Sequence, residues 1–261
     1  MNRLTERIKL IKEGDSFKDR FFILIFSGLS LVFRPFTKEG TRFLFKDVII
    51  NTKEGKFLCR KKKDDVSIFM GYDDKIGQNI NLEEGTFVDI GSHIGKYTSK
   101  IGRKKGTQVI SIELMSDNFK VLKRNSALNN LNNVILLNVG CSDKDGKVEV
   151  FSPKNGNSTV GNSLISNSSS RRIGLLEVKK LDSIVRELNI KRVDLIKIDV
   201  EGAEYEVFNG ALETLKKFHP KIVFEISNKK NFLSIISLLN PLGYKIKKID
   251  SSNALAEYVK E

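Results

Sequence analysis

The sequence predicts an α/β protein, a largely parallel sheet covered by helices on both faces and preceded by a small α+β extension. Three observations carry this. From Thr86 onward, short apolar runs alternate with segments of helical period, as in successive β-α-β units. Those runs are apolar throughout rather than alternating, as strands buried on both faces are. Hydrophobic residues make up 40% of the 261 and charged residues 30%, which supports a sizeable core and argues against global disorder.

Taken in order, Leu4, Ile8 and Ile11 recur at helical spacing, so Met1–Glu13 reads as a helix. A second helix runs from about Ser16 to Phe33, and Pro35 ends it. Its apolar part, Phe21–Phe33, is shorter than the roughly 20 residues a spanning helix needs. It reads as a buried core helix; an interfacial membrane anchor flanked by Lys18, Arg20 and Arg34 is the alternative. It also lies too late, and lacks the small-residue site, for a cleavable signal peptide. Phe43–Phe45, Val48–Ile50 and Val66–Phe69 read as strands. The expected division is an extension over 1–66 and a main domain over 67–261.

In the main domain the expected strands are Phe87–Ile90, Gln108–Leu114, Val134–Val139, Val193–Ile198, Lys221–Ile226 and Tyr244–Ile249, with short ones at Val148–Phe151 and Leu255–Val259. The expected helices are Tyr97–Ile101, Ser116–Asn129, Leu181–Leu188, Ala203–Lys217 and Asn231–Leu239, the last stopped by Pro241. Ser152–Arg172, rich in Ser, Asn and Gly, reads as a long loop: a mobile lid over the substrate side, or a surface loop without a role.

The net charge is +13, and residues 1–63 hold 16 Lys and Arg against 7 Asp and Glu. That excess suits anionic partners such as nucleic acid, anionic lipid or an acidic substrate, unless the lysines only solvate the surface. The N-terminal region, with its run Arg60–Lys63, is the better docking candidate. Cys59 and Cys141 form neither a disulfide framework nor a zinc motif, so a reducing cytoplasm is the default location.

The strongest local signal is Phe87-Val-Asp-Ile-Gly-Ser-His-Ile-Gly95, a strand running into a helix. Gly91 permits the tight turn and close backbone approach, Gly95 permits close helix packing, and the helix start offers N–H groups to a negative group. His93 stands where a dinucleotide fingerprint has its second Gly, which argues against a pyrophosphate and so against NAD. Asp89 fits a cationic or amino-bearing ligand better. About 20 residues on, Glu113 ends the next strand, where an acid accepts both ribose hydroxyls of an adenosine. A third signal is the apolar strand carrying Lys197 and ending at Asp199, followed by Glu201, Gly202 and Glu204. Asp199 has no packing reason to be there; Glu201 and Glu204 equally suit a helix N-terminus. Lys197 is either a buried partner of a carboxylate or an edge residue.

With Phe87–Thr98, Glu113, Asn118–Asn125, Cys141–Gly146, Leu181-Asp182 and Leu195-Ile-Lys-Ile-Asp-Val-Glu-Gly-Ala-Glu204, the chain resembles the FkbM-type S-adenosylmethionine-dependent methyltransferases over about Phe87–Ser227. The resemblance implies a class I methyltransferase fold: a Rossmann-like, mostly parallel seven-stranded sheet with an antiparallel hairpin at its C-terminal end. It implies S-adenosyl-L-methionine as cofactor, bound by Asp89, Gly91, Ser92, Gly95, Glu113, Leu114, Cys141, Ser142 and Asp199, with Val139–Asp143 flanking the adenine. Leu114 departs from the Pro common after the strand-two acid, which changes the turn. Methylation of a hydroxyl on a sugar, glycan or small molecule is implied. An alcohol acceptor needs a proton sink, for which Asp199 is the first candidate, with Glu201 in support and His93 as the alternative. No metal is assigned, although Asp199, Glu225 and Asn228 are oxygen ligands of the kind Mg²⁺ accepts. The competing readings are an RNA methyltransferase, favoured by the charge but lacking a base-flipping motif, and a membrane-docked binding protein without catalysis.

Overall fold

A computed structural model describes residues 3–33, 46–61, 63, 65–69, 75–153 and 170–259. Its centre is a seven-stranded sheet of β3 (Gly85–Ile90), β4 (Thr107–Ile112), β5 (Val134–Leu137), β9 (Leu195–Ile198), β10 (Lys221–Glu225), β11 (Tyr244–Lys248) and β12 (Asn253–Tyr258). The spatial order is β11-β12-β10-β9-β3-β4-β5, with β12 antiparallel to both neighbours and every other pairing parallel. This is the class I methyltransferase architecture, a Rossmann-like sheet closed by an antiparallel C-terminal hairpin.

Every residue of β3 is buried, which is why its sequence is an unbroken apolar run around Asp89. One face of the sheet presents Val88, Ile90, Ile110, Ile196, Ile198 and Phe224 to the main core. The other presents Phe87, Val109, Leu195 and Val223 to a second core with Ile80 and Ile101. The covering helices are α3 (Lys75–Asn79), α4 (Lys96–Gly102), α5 (Ser116–Leu128), α6 (Leu181–Glu187), α7 (Glu204–Asn209), α8 (Leu212–Phe218) and α9 (Lys229–Leu239).

The N-terminal layer comprises α1 (Arg3–Glu13), α2 (Phe17–Phe33) and the hairpin β1 (Val48–Thr52)–β2 (Gly55–Cys59) around Leu10, Ile23, Phe26, Ile50 and Phe57. Among the described residues, the outer edge of β2 has no strand partner. Two amides one helical turn apart, one on α5 and one at its C-cap, replace it: Asn125 Oδ1 accepts from Leu58 N (2.8 Å), and Asn129 Oδ1 accepts from Lys56 N (2.8 Å) while its Nδ2 donates to Lys56 O (2.7 Å). Asn125 Nδ2 also donates to Ile94 O in the turn after β3 (2.8 Å). An unpaired buried edge would be costly, and these side chains satisfy it.

Four expectations need correction. Ala203–Lys217 is two helices, because the chain breaks at Gly210: a Cβ there would lie 2.0 Å from Ser142 O. Val66–Ile68 belongs to a 3-10 turn rather than a strand, since Arg60 draws buried Asp65 into a bidentate pair (2.7 and 2.8 Å). The loop expected over Ser152–Arg172 is bounded by long strands: β7 (Gly146–Pro153) pairs with β8 (Ser170–Lys179), and β8 also pairs with the short β6 (Gly140–Cys141). Residues 154–169, where the lid was expected, lie outside the described residues, as does the strand expected at Phe43–Phe45. Finally, α2 is not a fully buried helix. Ile23 and Phe26 point inward, but Phe17, Phe21 and Leu24 are exposed.

Candidate active site

The chain builds β4 and β5 on one side of β3, then β9 and β10 on the other. Such a reversal leaves a crevice at the carboxyl ends of the strands. The turn 91–95, Glu113, the turn 199–202 and Glu225 all fall at that end.

Gly91 has φ 76°, and a Cβ on it would lie 1.8 Å from Asp199 O. No other residue fits between the ends of β3 and β9. The N–H groups of Gly91 and Ser92 donate to Ile112 O (3.0 Å each), and Ser92 Oγ donates to Asp89 O (2.7 Å), so the turn is tied to β4. A Cβ on Gly95 would meet Leu122 Cδ1 at 2.6 Å, so α4 packs directly on α5.

Beneath the turn runs a buried polar row. Ser111, Asp89 and Lys197 are register partners on β4, β3 and β9, hence on one face. Ser111 Oγ contacts Thr98 Oγ1, which donates to Asp89 Oδ2 (2.7 Å). Asp89 Oδ1 accepts no hydrogen bond and lies 3.7 Å from Lys197 Nζ. That ammonium donates to Gly91 O (2.8 Å) and sits 3.2 Å from Asp199 Oδ2. Burial pushes the Asp89 carboxyl up, against the pull of Lys197. Burial alone would lower Lys197, but Asp199 and Asp89 outweigh it and hold it above the usual lysine value. The lysine therefore stays an ammonium, braced between two acids. Asp89, expected to meet a cationic ligand, meets this internal cation instead.

Glu113 is nearly fully buried at the end of β4. It accepts from His93 N (2.8 Å), Met115 N (2.9 Å) and, at 3.4 Å, Asn118 Nδ2. Burial outweighs these donors and lifts its carboxyl to about 7. Arg60, besides pairing with Asp65, donates to Asn118 Oδ1 (2.9 Å), which links the N-terminal layer to this carboxylate.

The turn after β9 holds Glu201 at φ 56° and Gly202 at φ 108°, two successive left-handed residues. Buried Glu204 locks it: its carboxylate accepts from Gly202 N (2.9 Å), from Asn231 Nδ2 (2.8 Å) and from Ser227 Oγ. Beside Asp199, Glu225 ends β10, whose Phe224 is in register with Ile198. Its Oε2 is buried without a hydrogen-bond partner. Burial, then the nearby charges of Asp199, Glu201 and Glu204, push its carboxyl up to about 8.

The structure thus brings Asp89, Gly91, Ser92, His93, Gly95, Glu113, Asp199 and Glu201 together at one crevice. His93 enters through its backbone, in a left-handed conformation with its N–H on Glu113. Leu114 packs beside Gly140, at the start of the segment expected to flank the adenine. Cys141 and Ser142 turn inward instead. The Cys141 thiol lies in the main core, where burial pushes it up to about 12, and Ser142 N pairs with Lys179 O (3.1 Å). Among the described residues, no group of three or more His, Cys, Asp or Glu is arranged to hold a metal, and Asn228 caps α9 by accepting from Asn231 N (2.8 Å). Of the two readings open for Lys197, the buried partner of a carboxylate is the one observed. Sequence reasoning missed the proton capacity of Glu225 and the Arg60–Asn118 link, neither of which has a local signal.

Comparison with known proteins places the chain. The family model described as "Methyltransferase FkbM domain" matches residues 89–246. "Methyltransferase 1" of Beauveria bassiana (strain ARSEF 2860) is 28% identical over 183 residues, covering 63% of this chain and 74% of that protein. "Methyltransferase sdnD" of Sordaria araneosa is 30% identical over 197 residues, covering 64% and 76% respectively. The crystal structure of a methyltransferase FkbM from Methylobacillus flagellatus KT aligns with a TM-score of 0.48 at 16% identity; the alignment takes in 98% of this chain and 59% of that one. The chain belongs to the FkbM methyltransferase family, whose members take their methyl group from S-adenosyl-L-methionine.

Proposed function

We propose that this protein is an O-methyltransferase acting on a hydroxyl of a sugar, glycan or small molecule. One observation carries the reading: Glu225 and Asp199 end adjacent strands beside the glycine turn, and Glu225 has an unpartnered buried oxygen and an affinity for protons that reaches about 8. A hydroxyl acceptor must lose its proton to a nearby group as it is methylated, and a base with such a value suits neutral solution.

The residues present fit S-adenosyl-L-methionine. A carboxylate offers about four acceptor positions, and Glu113 uses three, one of them at 3.4 Å. It would therefore have room for one ribose hydroxyl, and for a second in place of the long bond from Asn118. The anionic turn that carries Asp199 and Glu201 suits a positively charged sulfonium. Bound there, the cofactor supplies the electrophilic methyl group. The chain contributes alignment and a proton acceptor. Lys197 holds Gly91 O and Asp199 in fixed relation, Glu204 fixes the turn 201–202, and Glu225 or Asp199 takes the hydroxyl proton onto a carboxylate oxygen.

The test has two arms. Calorimetric titration with S-adenosylhomocysteine should show saturable binding that Glu113→Ala abolishes. Transfer of labelled methyl to a panel of sugars and phenolic alcohols should then be slowed in Asp199→Asn and in Glu225→Gln while S-adenosylhomocysteine still binds. Labelling of nitrogen acceptors alone would refute the O-methyl assignment.

A further inference from the structure

We propose that the outer face of α2 is a docking surface for an anionic lipid bilayer. Phe17, Phe21 and Leu24 follow one another at i, i+4 and i+7, so they form one stripe along the helix. They are 84%, 50% and 53% exposed, and Ile25 adds to the same edge. The opposite face is anchored in the N-terminal core through Ile23 and Phe26. This is therefore a helix with two apolar faces, only one of which is covered among the described residues.

Charge identifies what covers the other. Exposed Lys18 and Arg20 lie on the two flanks of the stripe, about 100° per residue around the helix. Exposed Lys12 stands at the end of the preceding helix. The single acid of α2, Asp19, points the other way: its Oδ1 accepts from Ile49 N (3.1 Å) and its Oδ2 from Ser16. The outer face of α2 thus presents aromatic and aliphatic side chains bordered by cations, Arg20 being held by its Nε on Gly14 O (2.9 Å); Asp15, just before the helix, is paired with Lys56 (2.9 Å), and among the described residues of α2 no acid lies on this face. A second copy packed on it by two-fold symmetry would set like cations against each other. An acidic headgroup layer answers the cations while the acyl boundary takes the stripe. No described helix is long and apolar enough to cross a membrane, and α2, at about 25 Å, lies in the plane of the interface.

The test uses the full chain with vesicles of phosphatidylcholine alone and of phosphatidylcholine containing about one third phosphatidylglycerol. Co-sedimentation should be strong with the anionic vesicles, weak with neutral ones, and reduced by salt. Phe17→Ser/Phe21→Ser/Leu24→Ser should lower the partition coefficient by about tenfold or more, and Lys12→Glu/Lys18→Glu should remove the preference for anionic lipid. S-adenosylhomocysteine affinity and thermal melting of both variants should match wild type. If the triple variant melts early, the single variant Phe17→Asp, at the most exposed of the three positions, takes its place. Equal binding by wild type and apolar variants overturns the proposal. So does a wild type that ignores anionic vesicles but forms a dimer that the triple variant dissolves, because the stripe then covers a second copy.

Discussion

Replacing Lys197 with methionine tests the buried polar row directly. The side chain keeps its length and loses its charge, leaving the Asp89 carboxylate without a cation in a site closed to water. Removing one partner of a buried pair costs about 3–5 kcal/mol. The contribution of Asp199 is discounted, because its side chain is 42% exposed and solvent screens it. The loss should depend on pH. Without Lys197 the folded-state value of Asp89, already raised by burial, rises further. Between the unfolded value and that folded value the native state holds one more proton than the unfolded state. Stability of the variant then falls with rising pH by about 1.4 kcal/mol per unit. Urea denaturation from pH 5 to 8 reads both quantities. The second variant Asp89→Asn/Lys197→Met should recover much of the loss, since the uncompensated charge is gone. A Lys197→Met protein within about 1 kcal/mol of wild type, with the same pH slope, would refute the bracing argument.

Three further outcomes follow from the site. Gly91→Ala places a Cβ 1.8 Å from Asp199 O at a positive φ; it should abolish S-adenosylhomocysteine binding and lower stability by more than the roughly 1–3 kcal/mol of backbone strain alone, as calorimetry and melting would show. Glu113, lifted to about 7 by burial, must ionise to accept ribose hydroxyls, so S-adenosylhomocysteine affinity should rise with pH through about 7 by up to tenfold per unit and then level off; a flat titration profile would contradict this. Glu225, lifted to about 8, should give a methyl-transfer rate that climbs as pH passes that value. Glu225→Gln should flatten that limb, and should also remove a decline in stability as pH rises from about 4.5 to about 8, since the folded state resists ionising this group.

The centre of the sheet was legible in the sequence because β3, β4 and β9 are buried almost throughout and read as apolar runs interrupted by few polar residues. The glycine turn and Glu113 were legible because backbone geometry restricts which residues serve there. What escaped reading depends on contacts between distant segments. Gly210 splits α7 from α8 only because the carbonyl of Ser142 lies against it. β8 was missed because its exposed Ile173 and Leu175 give no buried periodicity. The raised proton affinity of Glu225 comes from acids that the fold gathers from separate turns, and the bond from Arg60 to Asn118 joins segments 58 residues apart. In α2, a continuous apolar run conceals that, among the described residues, only one side is buried.

The amide pair at the end of α5 bears on how this chain can be cut. A truncation beginning near residue 67 looks natural, since the family match starts at 89. It would strip Asn125 and Asn129 of the backbone groups they serve on β2 and uncover the apolar contact of Leu58 with Ile94 and Val121. Asn125 would keep its hold on Ile94 O, so the damage would reach the glycine turn through one side chain. A chain shortened in this way would have lost the hairpin strand that its own glycine turn and α5 lean on.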